Sequence, residues 1–305
     1  LQFWIGITDG DWYEFLAVRR PDEVDFWQPG DQAPRRMAPG WPFLFKLHAP
    51  RHFVVGGGFF VQFTRLPCAL AWDAFGENNG AASLAELIAR VERYRHAPQG
   101  PGSVIGCNVL CEPFFFDPPD WIPIPANWSR NIQRGLTYDT EDQYGAALWR
   151  EVMARLPRYR NDAAVTIDTD HPRYGDEYLR RARLGQGAFR SLVTDAYHRR
   201  CAVTGERTLP VLEAAHIRAH AADGPNRIDN GLLLRADIHR LFDDGYVTVD
   251  HDLRFVVSRR VREEYENGRE YYRYHGRPLA HVPDAASQRP TRAFIDWHHA
   301  HCYVE

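Results

Sequence analysis

The stretch "LEAAHIRAH", residues 212–220, is followed at 229–245 by "DNGLLLRADIHRLFDDG", and the two put His216, Asn230 and His239 on one short run of chain. "LPVLEAAHI" reads as a short strand ending at His216. "AADGPNRIDNG" is a turn-rich loop whose Asp-Gly and Asn-Gly steps suit tight reversals, and "LLLR" returns as a strand. "ADIHRLFDDG" then predicts a helix of about two turns stopped by Gly245, with Ile238, Leu241 and Phe242 as its apolar face. On another face His239 and Asp243 are spaced i, i+4, so both side chains can meet one ion. The order strand, loop, strand, helix brings His216 and His239 together.

Outward from this core, "EYLRRARLGQGAFRSLVTDAYHRRCAVTG" predicts basic helical segments broken at "GQG" and leading into a turn. The terminal "WHHAHCYVE" is rich in histidine and is expected to be solvated rather than to bind metal. Upstream, "PRYRNDAAVTIDTDHPRYGDE" is polar without a sustained period, which places a linker at 157–177 between domains at 1–156 and 178–305. The first domain is rich in aromatic residues and proline, with β-like stretches "PFLFKLH" and "HFVVGGGFFVQF". It also carries one clear helix, "SLAELIARVERYR": Leu84, Leu87, Ile88 and Val91 make a single buried stripe, and Ser83 with Glu86 forms a capping box. Gly56 to Gly58 either let a backbone approach DNA closely or mark a bulge or barrel corner.

At 305 residues, with 44% apolar and 25% charged residues, the chain suits two folded domains and not a disordered one. No apolar run approaches the roughly 18 residues of a membrane span, and "LQFWIGITDGDWYEF" is unlike a signal peptide, so a cytoplasmic protein without a membrane partner is expected. Cys68, Cys107, Cys111, Cys201 and Cys302 form no CxxC pair and read as reduced thiols. The net charge of −3 conceals an asymmetry: residues 1–172 carry 16 basic and 21 acidic side chains, residues 173–305 carry 21 and 19. The second half therefore tolerates a polyanion more easily. Apart from Lys46 every basic side chain is arginine, which grips phosphate bidentately, although genome composition produces the same bias.

The run "CAVTGE", "LEAAHI", "NGLLL", "DIHRLFDDGYVTV", extended back to "RLGQGAFR", resembles HNH nucleases of the ββα-metal class, over roughly residues 180–280. The resemblance implies phosphodiester hydrolysis leaving a 5′-phosphate and a 3′-hydroxyl. Such hydrolysis needs a base to activate water and a cation to stabilise the developing charge. His216 suits the base because imidazole titrates near neutral pH. Asn230 would hold the loop that orients it, and His239 would ligate the metal. Arg190 and Arg218 are candidates for the DNA backbone. Two departures stand out: Ala215 occupies the position where many such enzymes carry an acidic or histidine ligand, and Cys201 stands without the rest of a zinc knot. Asp243 is then the expected second ligand, although it reads almost as well as a plain helix residue. Glu213 ranks below it, since strand alternation points it away from the side of His216. Few protein ligands suit Mg²⁺ or Mn²⁺.

In the first domain "FWIGIT", "VDFWQPG" and "PGWPFLFKLHAPRHFVVGGGFF" are similar in order to the PUA-like superfamily of SRA, EVE and ASCH domains. That resemblance implies a mostly β barrel with flanking helices that holds a flipped or modified base between aromatic walls, with Trp4, Phe26, Trp27 and Trp41 as candidates. Any one of these aromatics is more often core than wall. The expectation is an α+β protein: a PUA-like reader joined to a ββα-metal nuclease, a McrA-like modification-dependent restriction enzyme of bacterial host defence. It would act on double-stranded DNA carrying 5-methylcytosine or 5-hydroxymethylcytosine, as a possible homodimer. The alternatives are a modification-independent, sequence-specific or nicking HNH endonuclease, and a nucleic-acid-binding protein that has lost catalysis.

Overall fold

A computed structural model describes residues 1–33, 37–129, 131–159 and 184–305. It divides into two units, Leu1–Ala188 and Phe189–Glu305. The expected linker lies mostly outside the described residues, from 160 to 177, and so does the basic stretch 178–183.

The first unit is built on one sheet of β1 (Gln2–Thr8), β2 (Glu23–Gln28), β3 (Pro42–Leu47), β4 (Phe53–Pro67), β5 (Val104–Phe115), β6 (Ile122–Pro123) and β7 (Gly135–Asp139). Its order is β2-β5-β4-β3-β1-β7, with β6 against β4; β1 and β3 run parallel and the other pairs antiparallel. The helices α1 (Gly10–Arg19), α2 (Cys68–Phe75), α3 (Leu84–Arg95) and α4 (Gln143–Arg155) flank it. Leu148, Trp149 and Val152 of α4 share a core with Phe3, Ile5, Leu44 and Phe114. Trp12 of α1 meets Phe26 and Phe45 edge-on at 5.2 and 5.1 Å. Burial on both faces explains why "PFLFKL" does not alternate and is apolar apart from the buried Lys46.

The glycine run of β4 belongs to the sheet. Register shifts occur at Phe45/Lys46 against β3 and at Gly57/Phe59 and Phe60/Gln62 against β5, the extra residues that bend a strand. A Cβ on Gly56 would stand 2.2 Å from the Phe114 carbonyl oxygen, and one on Gly57 would stand 2.7 Å from that of Phe43. Neighbouring strands fill the space, so the bulge reading holds and close approach by DNA does not. In α3 the Ser83 hydroxyl accepts from Glu86 N at 3.2 Å, as the capping box requires.

In the second unit β8 (Leu212–His216) pairs antiparallel with β9 (Gly231–Arg235), with His216 opposite Gly231. A second ribbon joins β10 (Val247–Val249) to β11 (Phe255–Val257). The helices are α5 (Gln186–Ala196), α6 (Ala236–Asp243), α7 (Arg260–Tyr265), α8 (Arg269–Tyr272) and α9 (Arg292–His301). Phe189 and Val193 of α5, Leu232 to Leu234 of β9, and Ile238 and Phe242 of α6 form one core. Helix α6 stops at Gly245, whose φ is +77° and where a Cβ would stand 2.0 Å from the Cys302 carbonyl oxygen. The α+β expectation is met. Among the described residues no helix is long and apolar enough to cross a membrane.

Candidate active site

His216 ends β8 half-buried, its ring stacked on Phe189 with centroids 3.8 Å apart and planes 13° from parallel. Its Nε2 lies 2.8 Å from the Asn226 amide oxygen. Burial pushes the imidazole pKa down, Asn226 pulls it back up, and His220 and His239 lower it again. Its proton affinity is lowered, so the unprotonated form that can accept a proton persists to below the usual histidine range.

Asn230 is fully buried and bridges the ends of the loop. Its side-chain oxygen accepts from Arg218 N at 2.8 Å, and Nδ2 donates to the carbonyls of Arg218 and Pro225 at 3.1 and 3.0 Å. Ile217 N donates to the Asn230 carbonyl at 2.9 Å, which continues the ladder past His216. Three side-chain bonds from one carboxamide fix the backbone on both sides of the loop.

His239, on the first turns of α6, stands between two carboxylates. Its Nδ1 lies 2.7 Å from Glu213 Oε2 and its Nε2 lies 3.3 Å from Asp243 Oδ2. Strand alternation ranks Glu213 below Asp243, yet Glu213 makes the shorter contact. The ranking judges Glu213 by the direction of His216, whereas α6 packs against both β8 and β9 and brings His239 to it. Burial raises the Asp243 carboxyl, His239 lowers it, and Asp244 and Glu213 raise it further. The i, i+4 spacing read from the sequence delivers the His239–Asp243 contact.

Ala215 is fully buried in the core, so no ligand precedes the base. Where a zinc knot would close the "CAVTGE" turn, hydrogen bonds do so: Cys201 N donates to Glu206 O and Gly205 N to Cys201 O, both at 2.9 Å. Arg218 Nε donates to Ala222 O at 2.9 Å and its guanidinium lies 5.8 Å from the Trp297 ring centre, while Arg190 sits half-buried on α5. The histidine-rich end is not a solvated tail. It forms α9, in which His298 is buried, stacks on Phe242 at 3.9 Å, pairs with Thr248 Oγ1 at 2.9 Å and contacts Phe242 O at 3.1 Å. Aromatic packing outweighs its polar composition.

Of the aromatic candidates in the first unit, Phe26 and Trp27 are buried. Phe26 packs against Phe43 at 4.6 Å, and the Trp27 indole donates to Asn79 O at 3.0 Å. These two belong to the core, because the faces a base would need are taken by protein. Trp4 and Trp41 are half-buried. Asn226 and Phe189 are not among the residues expected from sequence at the site; a turn-forming asparagine and a helical phenylalanine carry no signal of their contact with His216.

A hairpin followed by a helix, with one imidazole at the end of the first strand and a second on the helix, is the arrangement expected of a ββα nuclease. The family model for HNH endonuclease matches residues 201–250. These residues form an HNH endonuclease domain. Similar solved structures include an ASCH protein from Zymomonas mobilis, 13% identical, covering 47% of this chain and 94% of that one with a TM-score of 0.33. A mutant of that protein is 10% identical, covering 49% and 96% at 0.34. A third, the modification-dependent TagI restriction endonuclease, is 14% identical, covering 92% of this chain and 75% of that one at 0.28. No curated protein matches the chain.

Proposed function

We propose that the protein cuts double-stranded DNA with His216 as general base and one divalent cation, Mg²⁺ or Mn²⁺, held at His239 and Asp243. The observation that carries the proposal is the half-buried His216 imidazole in the same hairpin-and-helix unit as a second histidine flanked by two carboxylates, all inside the matched domain. Among the described residues no group of three His, Cys, Asp or Glu side chains is arranged to hold a metal ion. The donor chemistry nevertheless fits one. The Nε2 of His239 and the Oδ2 of Asp243 stand 3.3 Å apart, and a nitrogen and a carboxylate oxygen this close would suit a divalent cation that completes its shell with water.

A cation bound there supplies positive charge against the phosphate and the leaving oxygen. His216 takes the proton of the attacking water, and the stack on Phe189 keeps its ring in place. Glu213 orients His239. Asn230 holds the loop, and Arg190 and Arg218 are the arginines assigned to phosphates flanking the cut.

The proposal extends to residues 1–156 as a reader of a modified base, 5-methylcytosine or 5-hydroxymethylcytosine first, joined by 157–177 to a nuclease at 178–305. Trp4 and Trp41 support it as the aromatic candidates that are only half-buried and keep some accessible surface. Two copies would give the two cuts of a double-strand break in a cytoplasmic defence enzyme. The test is cleavage, with Mg²⁺ and then Mn²⁺, of matched DNAs that are unmodified or carry 5-methylcytosine, 5-hydroxymethylcytosine or N6-methyladenine. Cutting confined to modified cytosine is expected. Equal cutting of all of them discards the reader and keeps the nuclease.

A further inference from the structure

We infer that Asn226 is the positioning residue that decides which nitrogen of His216 carries the proton. The inference rests on the proposed role of His216 and names a residue that this role depends on.

The Phe189 stack fixes the plane of the imidazole but not its chemistry, because both ring nitrogens stay in that plane. Asn226 supplies the missing choice. Its amide oxygen stands 2.8 Å from Nε2, and an amide oxygen only accepts, so the neutral ring bears its proton on Nε2 and its lone pair on Nδ1. The base is then Nδ1.

Asn226 is held in turn by its neighbours. Pro225, the preceding residue, gives its carbonyl to Asn230 Nδ2 at 3.0 Å and to Arg227 N at 2.9 Å. The Arg227 guanidinium grips the buried Asp229 through two bonds of 3.0 and 2.6 Å. A relay therefore runs from Asn230 through Pro225 and Asn226 to the ring of His216. The titratable neighbours of that ring are His220, with centroids 5.8 Å apart, and His239; both lower its pKa, while the Asn226 bond raises it.

The experiment compares wild-type protein with Asn226→Ala, Asn226→Asp and His216→Ala. Nitrogen-15 NMR of the imidazoles, without DNA or metal, reads the tautomer directly, with His216→Ala assigning the signals. Wild type is expected to show the Nε2–H form and Asn226→Ala a mixture, at an unchanged thermal midpoint. On DNA with Mg²⁺, Asn226→Ala should lower kcat roughly 10- to 100-fold with KM unchanged, as loss of an orienting partner does. Asn226→Asp should move the acidic limb of the kcat profile to higher pH, because a carboxylate favours the imidazolium. An Nδ1–H tautomer in wild type, or an Asn226→Ala variant with unaltered tautomer and kcat, overturns the inference. Full activity of His216→Ala would instead overturn the base assignment, and the NMR result would still decide the tautomer.

Discussion

The Nδ1 of His239 and the Oε2 of Glu213 lie 2.7 Å apart, joining the helix of the nuclease hairpin to its first strand. A carboxylate that accepts from one imidazole nitrogen raises the basicity of the other. Replacing Glu213 with glutamine should therefore weaken Mn²⁺ binding and DNA cleavage roughly 10- to 100-fold. Calorimetric titration with Mn²⁺ checks the first and initial rates the second. Wild-type affinity in Glu213→Gln, with a large loss in Asp243→Asn, would leave Asp243 as the carboxylate that matters.

Asn230 serves three backbone groups in the loop between the two strands. Its replacement by alanine leaves those groups without partners, and an unsatisfied buried polar group costs roughly 1–3 kcal/mol. Partial access of water to the loop should limit the total to about 3 kcal/mol, read as a lower urea midpoint, with cleavage lost as well. Aspartate should not rescue it, because two donated bonds become contacts between oxygens. A stability loss below about 1 kcal/mol in Asn230→Ala would mean that the loop is held by other groups.

His298 ties α9 to Phe242 and Thr248, and burial pushes its pKa down from 6.5 to about 4. Below pH 6.5 the unfolded chain binds a proton that the folded chain refuses, so stability falls as pH drops from 6.5 toward 4. The full cost is about 3 kcal/mol at roughly 1.4 kcal/mol per pH unit. Urea denaturation at several pH values should show this slope in wild type. His298→Gln should lack it while being weaker at neutral pH, and an unchanged slope would contradict the assignment.

Asp25 has the opposite sign. Fully buried on β2, its carboxyl is pushed by desolvation from 3.8 up to about 8, with the neighbouring Cys107 thiol opposing the shift. The folded state keeps a proton that the unfolded chain releases, so this group stabilises most below pH 3.8, and its contribution is lost as pH rises to about 8. The Asp25→Asn variant cannot ionise and should become the more stable protein as pH climbs through that window. Parallel pH dependence of the urea midpoints of Asp25→Asn and wild type would count against a protonated Asp25.

The nuclease hairpin was legible in the sequence because its determinants are local. Turn residues lie between two apolar strands, the strand register sets His216 opposite Gly231, and the i, i+4 spacing on α6 sets His239 beside Asp243. Contacts fixed by packing were not legible. Phe189 reaches His216 from a helix far upstream, and Asn226 sits in a loop where an asparagine already has a reason to be a turn residue. Alternation describes Glu213 on its own strand, while its partner comes from α6. In the first unit aromatic composition cannot separate a wall from a core: Phe26 and Trp27 are core, and Trp4 and Trp41 keep exposed surface. The terminal histidines look solvated in sequence because their composition does not show that Phe242 offers His298 a face to stack on.

The most direct measurement is the rate of DNA cleavage with Mg²⁺ by wild-type protein and by His216→Ala, across pH values on both sides of the ordinary histidine pKa of 6.5. The predicted result is that His216→Ala binds DNA with wild-type affinity and does not cut it. Wild-type kcat should hold its plateau to a pH below 6.5 before falling, because the folded site keeps His216 neutral. Cleavage by His216→Ala at the wild-type rate, with the same pH profile, would contradict His216 as the base.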